Sequence, residues 1–270
     1  MKQRIVSGVI LGLIVLWAIF SLNNTIFNTI VAIVLLFAAR EWAVLIDINA
    51  PLKRLIYLLF AAILIYLSGI YPLVTLVLSL IFWIIVAYLL SIYGKKETEL
   101  LSKPTQSIMG FFVIVPFFVA IGILQRGNPF LLFIAMLVVT LADSGAYFVG
   151  RKFGKHKLAP VISPNKTLEG LLGGLLIGSL AGILCTLFLS LSFAGHLMMI
   201  LLVVLTVPVA LMGDLFESLM KRQCGVKDSG KLIPGHGGIL DRMDSLFAAL
   251  PIFTLLTLLT GIVHSGWHAH

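Results

Sequence analysis

Nine stretches of nearly unbroken apolar residues, separated by short polar segments, run along the chain at roughly 5–22, 25–46, 55–70, 72–92, 107–125, 129–149, 168–193, 197–220 and 245–263. A bilayer crossing takes ~20 apolar residues as a helix, so each stretch is long enough to span with some tilt. The third is the shortest, and its break at Ser68-Gly69-Ile70-Tyr71-Pro72 predicts a tight hairpin or a kink. A membrane β-barrel would alternate apolar and polar positions in segments of ~10 residues. The pattern predicts an all-α integral membrane protein with about nine transmembrane helices.

Composition agrees: 60% of the 270 residues are apolar and 11% are charged, whereas soluble domains carry ~25% charged residues. Two cysteines, Cys185 and Cys224, exclude a disulfide scaffold. Charge placement sets the orientation. With nine spans and a cytoplasmic N-terminus, every one of the 19 basic residues except Arg126 falls on the cytoplasmic side, as the positive-inside rule demands. Removing one span would scramble that division. The net charge of +8 is therefore read as an orientation signal, and no nucleic-acid motif accompanies it. Lys2 and Arg4 before an apolar run resemble a signal peptide, but the run is long and no A-x-A-like site follows, so a retained first helix is expected.

Acidic residues divide the chain. Seven of the eleven lie between 143 and 244. Residues 1–128 read as scaffold helices, and 129–270 as a catalytic region with cytoplasmic loops at 150–167 and 221–244. An ionisable group inside a span costs about 2.5–3.5 kcal/mol at its centre and faces a cavity or a partner. Asp143 is such a group, and it can equally serve by pairing with a lysine and locking two helices. Asp214 sits two turns inside its span and shares a helical face with Glu217, Ser218 and Lys221. Asp241 and Asp244 project together from the start of the last helix, either as ligands for a hard cation such as Mg²⁺ or as dipole-compensating residues.

The 221–244 loop packs cations, carboxylates, His236 and five glycines into 24 residues. Glycines let the backbone approach a ligand, and successive N–H groups bind anions. Acids with bases together suggest a metal–polyphosphate complex. Gly225 to Lys231 imitates a P-loop, but Leu232 stands where the metal-binding hydroxyl belongs and Pro234 blocks a helix start, so that reading is rejected. In the 150–167 loop, Ser163-Pro164-Asn165-Lys166-Thr167 reads as a defined turn entering a helix, with Lys166 either pairing with Glu169 or touching a substrate phosphate. Gly170, Gly174, Gly178 and Gly182 recur every fourth residue, a close-packing pattern. His264, His268 and His270 lack an acidic neighbour and read as tail.

Ser218-Leu-Met-Lys221-Arg222, Lys227-Asp228, Pro234-Gly-His236-Gly-Gly238 and Asp241-Arg242-Met243-Asp244 together resemble the signature of the phosphatidate cytidylyltransferases, also called CDP-diglyceride synthetases. Asp143-Ser-Gly-Ala-Tyr147 and the segment from Ser163 to Gly170 resemble that family's other shared segments. The motifs cover the last half of the chain and the span layout covers all of it. The resemblance implies Mg²⁺-dependent transfer of the cytidylyl group of CTP to phosphatidic acid, giving CDP-diacylglycerol and pyrophosphate, in a multi-pass homodimer of the inner (plasma) membrane with its site open to cytoplasm and lipid.

Phosphatidate would then attack the α-phosphorus of CTP unaided by a strong base, because a phosphomonoester with a second pKa of ~6 is largely dianionic at neutral pH. Two cation sites are expected, since paired metals at ~3.5–4 Å bridge attacking and leaving oxygens. Asp214, Asp241 and Asp244 are the expected ligands, with Asp143 a fourth. Lys221, Lys227, Lys231 and Arg242 would stabilise the triphosphate. Lys166 would hold the lipid headgroup or CTP, His236 would shape the loop, and Ser218 and Asn165 would contact substrate. Two rival readings are a CTP-dependent lipid-alcohol kinase and a cation transporter lined by the same carboxylates. A CDP-alcohol phosphotransferase is disfavoured because its D-G-x-x-A-R…G-x-x-x-D-x-x-x-D pattern is absent.

Overall fold

In the computed structural model, which describes residues 2–93, 101–226, 229–230 and 237–263, the apolar stretches become nine helices. They are α1 (Lys2–Ser21), α2 (Asn24–Leu45), α3 (Pro51–Ile70), α4 (Pro72–Tyr93), α5 (Lys103–Gly127), α6 (Pro129–Phe153), α7 (Leu168–Thr186), α8 (Phe193–Gln223) and α9 (Leu240–Leu259). Eight of them, α2 to α9, are long and apolar enough to cross a membrane, and Gly8–Ser21 of α1 is a shorter apolar helix. The break after Ser68 is a tight hairpin, with Tyr71 alone between α3 and α4. Polar residues punctuate the boundaries as helix-capping chemistry requires. The side chains of Asn23, Ser102, Asn128, Thr167 and Ser192 each accept a backbone N–H at a helix start.

Burial orders the bundle. The apolar stretch of α5 is 72% inside and that of α9 61%, against 22% for α3. Helix α5 therefore lies along the axis, touching α2, α3, α4, α6 and α9, while α3 and α4 present wide apolar faces outward. Helix α8 has 31 residues, about 46 Å at 1.5 Å per residue. It is longer than a hydrocarbon layer of ~30 Å, so one end projects from the apolar zone.

The 150–167 loop holds an element that the sequence pattern does not announce. Strands β1 (Lys157–Ala159) and β2 (Ser163–Thr167) pair antiparallel, with Lys157 opposite Thr167 and Ala159 opposite Ser163. Strand β2 runs directly into α7, and Thr167 caps that helix through Gly170 N–H (3.1 Å). The glycine stripe of α7 then lies on α6. A Cβ on Gly174 would stand 2.6 Å from the Ala142 carbonyl oxygen, and one on Gly178 would stand 2.9 Å from that of Val138. This contact holds Asp143 in place, one residue from the crossing. Gly174→Val must push the helices apart, at about 1–3 kcal/mol for an overpacked core. A lowered melting temperature in detergent is expected, and an unchanged one would contradict the close crossing.

Candidate functional site

Polar side chains gather at one end of the bundle, where α6 and α8 finish, α9 begins and the hairpin folds over. Three contacts tie these parts together. Arg222 donates to the Ile162 carbonyl (3.4 Å), Leu101 N–H donates to Gln223 (2.9 Å), and Lys166 reaches Asp214. Helices α8 and α9 approach closely because position 213 is glycine: a Cβ there would stand 2.4 Å from the Asp244 carbonyl oxygen. That contact sets Asp214 beside Asp244.

Two clusters result, each organised by a lysine. In the first, Lys166 of β2 pairs with Asp214 of α8, both half-buried. Asp143 of α6 and Asp244 of α9 lie within electrostatic reach of the same ammonium. Burial pulls the Lys166 ammonium down. The charge and hydrogen bond of Asp214, with the charges of Asp143 and Asp244, outweigh burial and hold its pKa above the ordinary 10.5. Three helices and a strand thus aim three carboxylates at one cation.

In the second cluster, Lys221 of α8 lies 3.2 Å from Glu217 and 2.8 Å from Asp241, all largely buried. The other oxygen of Asp241 accepts the backbone N–H and hydroxyl of Ser229 (3.0 and 2.9 Å) and Gly238 N–H (2.9 Å). Gly237 before it has φ +84°, a value that glycine adopts without cost. Glu217, beside that ammonium, lines a small cavity with Asp244, Trp42 and Trp83. Stacked Trp42 and Phe216 (6.2 Å between centroids) and the edge of Trp83 on Phe216 (5.7 Å) form an apolar floor beneath the acids.

The chain matches the family described as "Cytidylyltransferase family" over residues 2–260. It belongs to that family. A Haemophilus influenzae protein named phosphatidate cytidylyltransferase is 36% identical over 280 residues, covering 94% of this chain and 97% of its own. One of the same name from Pseudomonas aeruginosa is 37% identical over 277 residues, covering 100% and 99%. A third so named, from Staphylococcus saprophyticus, is 48% identical over 132 residues, covering 49% of this chain and 50% of its own.

For this cytidylyltransferase chain, the structure brings Asp143, Lys166, Asp214 and Asp244 together. Asp241 pairs with Lys221, and Asp244, one helical turn on, lies within electrostatic reach of Lys221 and Glu217 as well as of Lys166. Ser218 is half-buried on α8, and Arg242 and Asn165 are exposed at the same end. Lys227, Lys231 and His236 lie outside the described residues, as do the tail histidines. Lys166 does not pair with Glu169. That carboxylate instead takes the Lys155 N–H (3.0 Å) and the His156 ring (2.6 Å), closing the loop on itself. Glu41, in the half read as scaffold, reaches the start of α9 by accepting Leu240 N–H (3.0 Å). Its only signal in the sequence is a lone acid near the end of an apolar run.

The donor chemistry suits a hard cation, since Asp143, Asp214 and Asp244 offer carboxylate oxygens. Among the described residues, no three acidic, histidine or cysteine side chains stand close enough to share a metal ion as placed; Asp214 is held by the Lys166 ammonium. The pair also fixes a pH response. A lysine raised in the fold contributes stability that is full below its ordinary pKa and is lost as pH rises through the folded value. The melting-temperature gap between wild type and Lys166→Met should stay level from about pH 8 to 9.5 and narrow above about 10.5. A gap that closed below pH 9 would contradict the pairing.

Proposed function

We propose that the chain transfers the cytidylyl group of CTP to phosphatidic acid, giving CDP-diacylglycerol and pyrophosphate for phospholipid synthesis. The observation that carries this reading is the convergence of Asp143, Asp214 and Asp244 on Lys166 at the polar end of membrane helices, in a chain of the cytidylyltransferase family. The names of the relatives supply the substrate.

The chemistry needs charge management more than a base. Phosphatidate is already dianionic near neutral pH. Its oxygen attacks the α-phosphorus, the bond to the bridging oxygen breaks, and pyrophosphate leaves with that electron pair. Mg²⁺, when bound, would neutralise charge on the attacking and leaving oxygens. Asp214, Asp244 and Asp143 are the proposed ligands, and Asp241 would join only through the oxygen that now holds Lys221. A second cation site is part of the same proposal. As a cation enters, Lys166 would turn from Asp214 toward a substrate phosphate, with Asn165 and Ser218 beside it. Lys221 and Arg242 would receive the triphosphate, joined by Lys227 and Lys231, while His236 shapes the loop. The acyl chains would stay in the bilayer, which explains a phosphoryl site built on membrane helices.

The basic residues further support a cytoplasmic N-terminus, with the site facing the cytoplasm of the inner membrane. A homodimer completes the proposal.

The deciding experiment incubates purified protein with Mg²⁺, phosphatidate and CTP labelled in the α- or γ-phosphate. Label from the α position should enter lipid and γ label should leave as pyrophosphate. Transfer of γ label to lipid would indicate a kinase, and no transfer would refute the reading. Asp244→Asn should lose at least about 100-fold in kcat while span insertion persists, as losses at metal sites commonly do. Full activity would remove Asp244 from the ligand set.

A further inference from the structure

Glu41 belongs to a helix with no part in the chemistry described above. It is 3% exposed, set among buried Ala38, Ala39, Trp42 and Ala43. A buried carboxylate on a membrane helix is costly unless something is gained by it. What it holds is the start of α9, because Leu240 N–H donates to its Oε2 across 199 residues of sequence. The residue before Leu240, Ile239, is in helical conformation and gives no side-chain cap, so α9 lacks the usual local acceptor. Glu41 supplies that acceptor from another helix.

Two further segments close around the same carboxylate. A Cβ on Gly230 would stand 2.6 Å from Oε1, and one on Gly238 would stand 2.5 Å from both Oε2 and Ser229 Oγ. Both glycines are therefore required for space. Gly238 and Ser229 are also the residues that donate to Asp241. Asp241 holds Ser229 and Gly238 by hydrogen bonds, while Glu41 packs closely on Gly230 and Gly238 and bonds Leu240, so both carboxylates act on the two segments that lead into the first turn of α9.

We infer that Glu41 is a positioning residue: it clamps residues 229–230 and 238–240 so that Asp241 and Asp244 face α8 in register for the reaction. This rests on the function proposed above, but its structural half stands alone. It assigns to the N-terminal helices a direct hold on the reacting end.

The test compares wild type with Glu41→Gln, Glu41→Asp and Glu41→Ala by amide hydrogen exchange and steady-state cytidylyl transfer. Glu41→Gln keeps an acceptor of the same reach and should preserve both protection and turnover. Glu41→Asp withdraws the acceptor by one methylene, and Glu41→Ala removes it. Both should raise exchange at Ser229, Gly238 and Leu240 while α5 amides stay protected. In both, kcat should fall by about 100-fold, the cost of a 1 Å misplacement, with little change in KM. The inference is overturned if Glu41→Ala keeps wild-type kcat, if exchange at those three amides is unchanged, or if protection is lost equally throughout the bundle. A wild-type protein that makes no CDP-lipid would defeat the functional reading, and the exchange measurements would still decide the clamp.

Discussion

A carboxylate seated among membrane helices must find positive charge or give up its own. Everything at the polar end of this bundle follows from that constraint. Asp143, Asp214, Glu217, Asp241 and Asp244 come from three helices, and the two lysines paired with them are Lys166 and Lys221. Five acids against two ammonium groups leave an excess of three negative charges if all are ionised. Breaking one partner from such a pair costs about 3–5 kcal/mol, so the lysines are structural necessities whatever else they do. In the proposed function a bound cation would meet the acids beyond those two lysines, as a reaction between two polyanions needs.

The two lysines also divide the labour. Lys166 enters from a hairpin and is the more exposed of the two, at 26%. Lys221 is held on α8 between Glu217 and Asp241, more deeply buried, and Asp241 passes its hold on to Ser229 and Gly238. In the proposed function the first pair would yield to a ligand, while the second keeps the loop in shape. Trp42, Trp83 and Phe216 pack as the apolar side of the cavity that Glu217 and Asp244 share, a low-dielectric surrounding in which charge interactions are stronger.

The helices were legible because a bilayer forces backbone hydrogen bonding within each apolar run. All nine expected spans correspond to helices; most ends shift by a few residues, as where Pro51, Lys103, Phe193 or Leu240 starts a helix earlier than hydropathy alone suggests, but α7 ends at Thr186, well short of the expected 193. The acids were legible for the same energetic reason. Three things were not. The β1–β2 hairpin is too short for an alternating pattern and carries Pro164 within a strand. The hold of Asp241 on the loop depends on donors at Ser229 and Gly238, which no side-chain spacing records. Glu41 meets its partner, a main-chain amide, 199 residues away, so its role exists only in three dimensions.

The proposed function depends on Asp214, together with Asp143 and Asp244, taking up a divalent cation as Lys166 turns from Asp214. Titration of purified, nucleotide-free protein with Mn²⁺, followed by electron paramagnetic resonance, tests it most directly. The account predicts saturable Mn²⁺ binding that Mg²⁺ displaces and that Asp214→Asn abolishes. Equal binding by wild type and Asp214→Asn, or none by either, would contradict it.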